Sequence, residues 1–213
     1  MIVVAAGTSV RFGEDKMLTM VAGSPLVAHT VAAVNDHVDR CILVCRADQM
    51  PVLAKLVPGA DLVAGGPSRT ASELAGLEAI GRPSRLVGIH DGARPMVTPD
   101  LIETLFETAA RVGGAVPVVP ASGPIVTRSD LALVENPAIA QTPQVFRAEP
   151  LLAAYAAAAA VGYQAQDTAA IVRRFADIDI EGVPGEAGNL KVTVPGDLDI
   201  VRRGLETSRI EPR

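Results

Sequence analysis

Short apolar runs alternate with longer segments of mixed character along most of this chain of 213 residues. The runs are rich in β-branched residues and have the length of buried strands. They are Met1–Ala5, Cys41–Cys45, Asp61–Ala64, Leu86–His90, Ala115–Val119 and Phe175–Ile180. Because parallel strands are joined by crossover helices, the alternation predicts an α/β fold: an open, mostly parallel twisted sheet with helices on both faces.

The segments between these strands predict five helices. They are Pro25–Val34, Ser68–Ile80, Thr98–Ala110, Glu149–Ala160 and a last helix that ends near Gly204. Ligands of such sheets bind beyond the carboxyl ends of the strands. Gly7 and Asp91 follow two of the predicted strands, so they mark the edge of the sheet at which we expect a site.

Residues 120–140 interrupt the alternation with three prolines, a glycine and two short apolar runs. We interpret this segment as a β-arm that leaves the domain; a disordered loop is the alternative. The rest of the pattern predicts one domain over residues 1–205, which includes the arm, and a polar C-terminal tail over residues 206–213.

Composition and charge narrow the class of protein. Hydrophobic residues make up 49% of the chain but aromatic residues only 3%, so the core must be built from Ala, Val, Leu and Ile. The net charge of −5 disfavours nonspecific nucleic-acid binding. No apolar run reaches the roughly 18–20 residues that span a bilayer, and no signal peptide is evident, so we expect a cytoplasmic protein with no membrane contact.

The two cysteines, Cys41 and Cys45, lie in one predicted strand. Side chains four residues apart on a strand are separated by about 13 Å, too far for a disulfide. We expect buried free thiols.

The loop after the first strand carries small residues and then two cations. Ala5, Ala6 and Gly7 let backbone N–H groups approach a phosphate, and Arg11 and Lys16 add positive charge. This pattern predicts a cradle for a nucleoside triphosphate. An ordinary turn with two solvated cations is the alternative, because neither the P-loop nor the dinucleotide fingerprint is present.

A second group of candidates follows the strand that ends at His90. Asp91 could hold a divalent cation or bond a hydroxyl of a ribose or polyol, and Arg94 could hold a phosphate. The alternative is a capping aspartate in a surface ion pair with Arg94. We interpret His90 as a wall residue rather than a base.

Three further segments carry candidate polar groups. Gly66 and Ser72 lie where a strand leads into a helix, and can shape a pocket for a flat base or simply cap the helix. Thr142 lies in a polar turn after the arm. Lys191 stands alone in an apolar stretch, where a bound phosphate would offset the cost of burying its charge; an edge-strand lysine that reaches solvent is the alternative.

Together these motifs resemble, from Val3 to about Val201, the 2-C-methyl-D-erythritol 4-phosphate cytidylyltransferase family. Each motif is modest alone, but their order and spacing are specific. The matching residues are Ala5–Gly7 with Arg11 and Lys16, Gly65, Gly66, Arg69 and Ser72, His90–Pro95 with Gly92 for an alanine, Gln141–Gln144, and Asn189–Thr193.

The resemblance implies a Rossmann-like sheet of the nucleotide-diphospho-sugar transferase type, CTP as donor, Mg²⁺ as cofactor and release of pyrophosphate. It also implies a homodimer formed through the arm of residues 120–140. The implied roles are catalysis for Arg11, Lys16 and Lys191; nucleotide binding for Ala5, Ala6, Gly7, Gly66, Ser72 and Asp91; substrate binding for Asp91, Arg94 and Thr142; and metal binding for Asp91.

The chain departs from the family pattern mainly in the half that binds the acceptor. Pro124 and Val134 stand where the family has a threonine and an arginine for the acceptor's phosphate, and Arg128 is a possible substitute. Thr168 stands where the family has a second carboxylate. Another polyol phosphate, such as ribitol 5-phosphate, is therefore the alternative acceptor.

Two other classes of function remain open alternatives. A nicotinamide-dependent oxidoreductase would need a glycine fingerprint and an acidic residue about 20 residues further on, whereas this loop carries Arg11 and Lys16. A non-catalytic nucleotide-binding protein would bind CTP without turnover.

Overall fold

The fold was analysed in a computed structural model, which describes residues 1–7, 12–13, 15–81 and 84–210, with side chains up to residue 207. The strands are β1 Ile2–Val4, β2 Met20–Val21, β3 Ser24–Pro25, β4 Ile42–Cys45, β5 Asp61–Ala64, β6 Leu86–Asp91, β7 Gly113–Pro120, β8 Ala138–Ala140, β9 Gln144–Arg147 and β10 Asp179–Pro184. The helices are α1 Leu26–Asn35, α2 Met50–Leu56, α3 Arg69–Ala79, α4 Pro99–Val112, α5 Ala148–Ala160, α6 Thr168–Phe175 and α7 Asp197–Ile210.

Within the described residues, eight strands form one sheet in the order β10-β7-β9-β6-β1-β4-β5, with β8 paired to β7. Strands β5, β4, β1 and β6 are mutually parallel, and so are β7 and β10. Strand β9 lies antiparallel between β6 and β7, and β8 is antiparallel to β7. The mostly parallel sheet predicted from the sequence is confirmed.

The four parallel strands run in the spatial order third, second, first, fourth along the chain, which is the doubly wound pattern. The direction of winding reverses between β1 and β6. Ligands of doubly wound sheets bind in the crevice at that reversal. The topology therefore places Gly7, just beyond β1, and Asp91, at the end of β6, on either side of the expected crevice.

Helices cover both faces of the sheet, and each face has its own apolar core. One core contains residues of α1, α4 and α7, such as Val27, Leu105 and Val201. The other contains residues of α3, α5 and α6, such as Leu77 and Leu151. Aliphatic side chains dominate both cores, as the low aromatic content predicts.

The predicted strand Phe175–Ile180 is wrong in its position. Phe175 ends helix α6, and the strand begins at Asp179 and continues to Pro184. The Asp167 carboxylate accepts a hydrogen bond from the Ala170 N–H at 2.9 Å and so caps α6. The apolar run thus spans the end of one element and the start of the next, and its composition alone does not separate them.

Other elements do not appear in the prediction. Helices α2 and α6, the short β2–β3 hairpin and strand β9 have no counterpart there. Each is short or follows Pro-containing sequence, so its hydrophobic period is too brief to recognise.

The segment between β7 and β8 is a β-hairpin-like arm rather than a disordered loop. Val126 and Leu133 form an antiparallel bridge, and the Val134 N–H donates to the Ile125 carbonyl at 2.8 Å. Leu131 and Leu133 are 72% and 69% exposed. The arm therefore presents apolar side chains away from its own domain.

Both cysteines are buried free thiols, as predicted. Burial raises the pKa of each thiol to about 11. Among the described residues, no helix combines the length and apolar character needed to cross a bilayer.

Candidate active site

A cleft of about 470 Å³ lies at the carboxyl ends of β1 and β6, where the sheet winding reverses. It gathers residues from the loops after β1, β4, β5 and β6 and from the segment before α7. Its lining includes Ala6, Gly7, Lys16, Arg46, Gly66, Arg69, Ser72, Asp91 and Lys191. Pockets of about 610 and 740 Å³ around Arg85 open at the opposite ends of the strands, away from these residues.

One wall of the cleft is made of backbone and small side chains. A Cβ on Gly65 would lie 2.3 Å from the Cβ of Ala6, so only glycine lets the loop after β5 pack against the loop after β1. The Ser72 hydroxyl accepts from the Gly66 N–H at 3.2 Å and donates to the Ser68 carbonyl at 2.9 Å. Ser72 thus fixes the glycine loop from within the wall.

Ala5 lies beneath this wall rather than in it. Its side chain is buried, and its N–H donates to the Val44 carbonyl at 2.7 Å. Of the six residues predicted to bind nucleotide, Ala5 alone does not line the cleft.

Two of the chain's three lysines meet at the other side of the cleft. Lys16 Nζ donates to the Val192 carbonyl at 3.0 Å. Lys191 Nζ lies 3.0 Å from Oδ2 of Asp91. These lysines are 175 residues apart in the sequence, and the fold brings both of them to one cleft.

Asp91 is the centre of a cluster of cations. Its Oδ1 lies 2.6 Å from Arg69, and its Oδ2 lies 3.3 Å from Arg94 and 3.0 Å from Lys191. Burial by itself would raise the pKa of Asp91, but the Arg69 guanidinium, the Lys191 ammonium and Arg94 together hold that pKa well below its usual range. Asp91 is therefore a carboxylate at any physiological pH.

A chain of hydrogen bonds fixes the backbone on which Asp91 stands. The Asp91 N–H donates to the Thr142 hydroxyl at 3.0 Å, and that hydroxyl lies 3.1 Å from His90 Nδ1. His90 Nε2 lies 3.0 Å from the Arg94 carbonyl. Because a carbonyl only accepts, Nε2 carries the proton and Nδ1 accepts from Thr142.

These hydrogen bonds show that His90 and Thr142 are buried supports of Asp91. Burial, opposed by the hydrogen bond to Arg94, lowers the pKa of His90 to about 4, so it is neutral and acts as a wall residue. Thr142 is buried behind Asp91, and its hydroxyl is committed to two protein partners. The predicted substrate contact of Thr142 stays a prediction, and its observed contact is with Asp91.

Arg94 likewise lies below the cleft surface. In addition to Asp91, its guanidinium donates to the Asn189 carbonyl at 2.7 Å. The Val192 N–H donates to the Ala93 carbonyl at 2.9 Å. These bonds tie the segment that carries Lys191 to the end of β6, and a substrate contact of Arg94 stays a prediction.

The donor set does not fit a resident metal ion at Asp91. Both carboxylate oxygens of Asp91 face cationic side chains, and these would repel a divalent cation that approached the same oxygens. No group of three or more His, Cys, Asp or Glu side chains suited to a metal occurs in the described parts of the chain. The suggestion that Asp91 binds the metal is therefore not supported by its surroundings.

The sequence analysis assigned no role to two arginines at the site: Arg69 was noted only as part of a family motif, and Arg46 was not considered. Arg69 lines the cleft and pairs with both Asp91 and Glu73. Arg46 also lines the cleft and pairs with Asp15 at 3.3 Å. The sequence did contain a signal for Arg69, because Arg69 and Glu73 are four residues apart on a predicted helix and so share one face. Arg11, predicted to be catalytic, lies outside the described residues.

Comparison with known proteins identifies the family. The sequence profile described as 2-C-methyl-D-erythritol 4-phosphate cytidylyltransferase matches residues 1–206. The chain belongs to the 2-C-methyl-D-erythritol 4-phosphate cytidylyltransferase family. The resemblance noted in the sequence motifs is thereby confirmed over nearly the whole chain.

Individual members of the cytidylyltransferase family are similar along their full length. The enzyme of that name from Cereibacter sphaeroides is 40% identical, over 96% of this chain and 95% of that protein. Its counterpart from Thermosynechococcus vestitus is 34% identical, over 96% of this chain and 94% of that protein. The crystal structure of the Thermus thermophilus cytidylyltransferase superposes with a TM-score of 0.81 at 30% identity, covering 97% of this chain and 98% of that one.

Proposed function

We propose that this protein transfers the cytidylyl group of CTP to 2-C-methyl-D-erythritol 4-phosphate, giving 4-diphosphocytidyl-2-C-methyl-D-erythritol and pyrophosphate. The observation that carries the proposal is the meeting of Lys16, Lys191 and the Asp91 cluster in one cleft of a chain that belongs to this family. The product is a precursor in non-mevalonate isoprenoid synthesis.

The reaction needs no dedicated base. A phosphate monoester has a second pKa of about 6 and is already a nucleophile near neutral pH. Its oxygen attacks the α-phosphorus of CTP in line, a new P–O bond forms, and the bond to pyrophosphate breaks. Catalysis then rests on alignment and on stabilising the charge that develops.

The cations of the cleft supply that stabilisation. Lys191 lies beside Asp91 at the centre of the cleft and is assigned to the α-phosphate. Lys16, held at the Val192 carbonyl, is assigned to the β- and γ-phosphates and the leaving pyrophosphate. Arg11 joins Lys16 in this role according to the family motif, and Asp91 holds Lys191 in place until the phosphates arrive.

The wall of Ala6, Gly7 and Gly66 is assigned to the base. A cleft of about 470 Å³ lined there by backbone and small side chains suits a pyrimidine. Titration calorimetry with CTP, UTP, ATP and GTP tests this assignment. We expect CTP to bind best, and equal affinity for ATP and CTP would contradict it.

The acceptor is tested by the release of pyrophosphate. The protein is incubated with CTP and either 2-C-methyl-D-erythritol 4-phosphate or ribitol 5-phosphate. We expect kcat/KM to be higher for the methylerythritol compound. A preference for ribitol 5-phosphate would mean that Pro124 and Val134 mark a different specificity, and binding of CTP without turnover would indicate a non-catalytic protein.

We further propose that Mg²⁺ enters the cleft with CTP as the counter-ion of its phosphates. This fits the cluster at Asp91, where both carboxylate oxygens already face cations. Mg²⁺ commonly binds through substrate phosphates and water rather than through an all-protein cage. Calorimetry supports this if Mg²⁺ binds only in the presence of CTP, and tight binding of Mg²⁺ to the free protein would contradict it.

The arm is proposed to form a homodimer. Its apolar residues Ile125, Val126, Leu131 and Leu133 are exposed in the single chain. Pairing with a second copy would remove that apolar surface from water. Sedimentation of the wild type and of a Leu131→Asp, Leu133→Asp variant tests this: a dimer that the variant converts to monomer supports the proposal, and a monomeric wild type contradicts it. The cytoplasmic location stays a prediction.

A further inference from the structure

A buried carboxylate outside the cleft is connected to its centre through one arginine. Glu73, on helix α3, is only 1% exposed. Its Oε1 lies 2.9 Å from Arg69 Nε, and Arg69 Nη1 lies 2.6 Å from Asp91 Oδ1. Arg69 Nη1 is hydrogen-bonded to Asp91, whereas the contact of Nε with Glu73 is an ion pair without hydrogen-bond geometry. Both carboxylates therefore act on the same guanidinium.

Two hydroxyl groups donate hydrogen bonds to Glu73. Tyr155, on α5, donates its hydroxyl to Oε2 at 2.6 Å, and Thr168, at the start of α6, donates to Oε1 at 3.2 Å. Burial raises the pKa of Glu73, whereas Arg69 and the two hydroxyls oppose that rise. Three separate helices are thus used to hold one carboxylate against Arg69.

Fixing Arg69 at two points matters because its guanidinium is planar and rigid. With Asp91 alone it can rotate about that one contact, and the charge of Glu73 beside Nε opposes such rotation. Asp91 Oδ1 is then fixed by Arg69, which leaves Oδ2 directed towards Lys191 and Arg94. The direction of the Asp91 carboxylate sets the resting position of Lys191.

We propose that Glu73 is a positioning residue for cytidylyl transfer, which fixes Arg69 and through it the Asp91–Lys191 pair. The inference rests on the proposed function. Glu73 does not line the cleft, so it acts through Arg69 and not by contact with substrate. Its loss should impair the alignment that stabilises the transition state more than it impairs the binding of CTP.

The main test is Glu73→Gln, which keeps the shape of the side chain and removes its charge. We expect kcat to fall about tenfold while KM for CTP changes less than about threefold, because misalignment mainly affects the transition state. Tyr155→Phe, which removes one donor to Glu73, should lower kcat by a smaller factor. Tyr163→Phe is the matched control: Tyr163 is the chain's other tyrosine and contacts Phe175 and Arg174 instead.

Two further variants separate positioning from simple structural support. In an Arg69→Lys background, Glu73→Gln should have little additional effect on kcat, since both changes break the same link. Thr168→Asp added to Glu73→Gln returns a carboxylate to the same buried site, because Thr168 Oγ1 lies 3.2 Å from Glu73 Oε1. This second change should recover part of the lost kcat.

The outcomes decide the inference independently of the proposed function. Pyrophosphate release by the wild type tests the function; the ratio of variant to wild-type kcat tests Glu73. A folded Glu73→Gln variant with kcat within twofold of wild type overturns the proposal, as does a loss that is additive with Arg69→Lys and is not rescued. If Glu73→Gln does not fold, an unchanged kcat in Tyr155→Phe overturns it.

Discussion

Replacing Lys191 by methionine separates what its ammonium group contributes to catalysis from what it contributes to stability. Methionine keeps an unbranched stem of similar size and removes the ammonium. In the free protein that ammonium lies 3.0 Å from Asp91, and its side chain is 35% exposed. The substitution therefore removes one contact of Asp91 and, when CTP is bound, the cation assigned to its α-phosphate.

The two effects should differ greatly in size. Losing one preorganised charge contact to a transition state lowers kcat by about 10²–10³-fold, or about 2.7–4 kcal/mol. The cost in stability should be much smaller, because Asp91 keeps Arg69 and Arg94 as partners. Since solvent screens an ammonium that is a third exposed, we expect a loss of about 1 kcal/mol or less in the free energy of unfolding.

The assay pairs pyrophosphate release with urea unfolding. Lys16→Met, at the other lysine that lines the cleft, should lower kcat in the same way. Lys55→Met is the matched control, because Lys55 is the third lysine of the chain and is exposed on α2. Activity of Lys191→Met and Lys16→Met within about threefold of wild type would refute the assignment of these lysines to the phosphates.

Three further predictions concern pH, packing and the acceptor. The pKa of His90 falls from 6.5 to about 4 on folding, so between these pH values the unfolded chain binds a proton that the native state does not. The free energy of unfolding should therefore fall by roughly 3 kcal/mol as the pH drops from 6.5 to about 4. Urea unfolding of His90→Asn should show a smaller fall over the same pH range. Gly65→Ala places a Cβ 2.3 Å from that of Ala6 and should lower the free energy of unfolding by about 1–3 kcal/mol and weaken CTP binding measured by calorimetry. Pro124→Thr with Val134→Arg should lower KM for 2-C-methyl-D-erythritol 4-phosphate, and an unchanged KM would mean that these positions do not face the acceptor.

The sheet could be predicted because each parallel strand and its crossover helix carry their own local pattern. The local sequence alone predicts strands at Cys41–Cys45 and Leu86–His90. Because ligands of such sheets bind beyond the carboxyl ends of the strands, Gly7 and Asp91 are then expected at that edge of the sheet. Strand β9 could not be found in this way. It enters between β6 and β7 through antiparallel pairing, such as Val87 with Phe146, and nothing local in its four residues specifies that partner.

In the candidate site, too, residues that stand in local motifs could be predicted, and residues whose role depends on distant partners could not. Lys16, Lys191 and Asp91 stand in motifs, and the structure brings them into one cleft. The role of Arg69 depends on groups distant in the chain: Tyr155 lies 82 residues from Glu73. A helix sequence shows that Arg69 and Glu73 share a face but not that the face is buried, so an exposed pair was an equally good interpretation.

The local charge around Asp91 explains how an acidic protein can bind a triphosphate. The whole chain carries a net charge of −5, yet Lys16, Lys191, Arg69 and Arg94 converge around the buried carboxylates of Asp91 and Glu73. Among the described lining residues of the cleft, the cations Lys16, Arg46, Arg69 and Lys191 outnumber the carboxylate of Asp91. Such an excess of positive charge between low-dielectric walls attracts a small anion. In the free protein Lys16 and Lys191 are held by a carbonyl and a carboxylate, so these contacts keep the cations in place before the nucleotide binds. Exchanging such contacts for phosphate oxygens needs little rearrangement, and this is the property that electrostatic preorganisation requires.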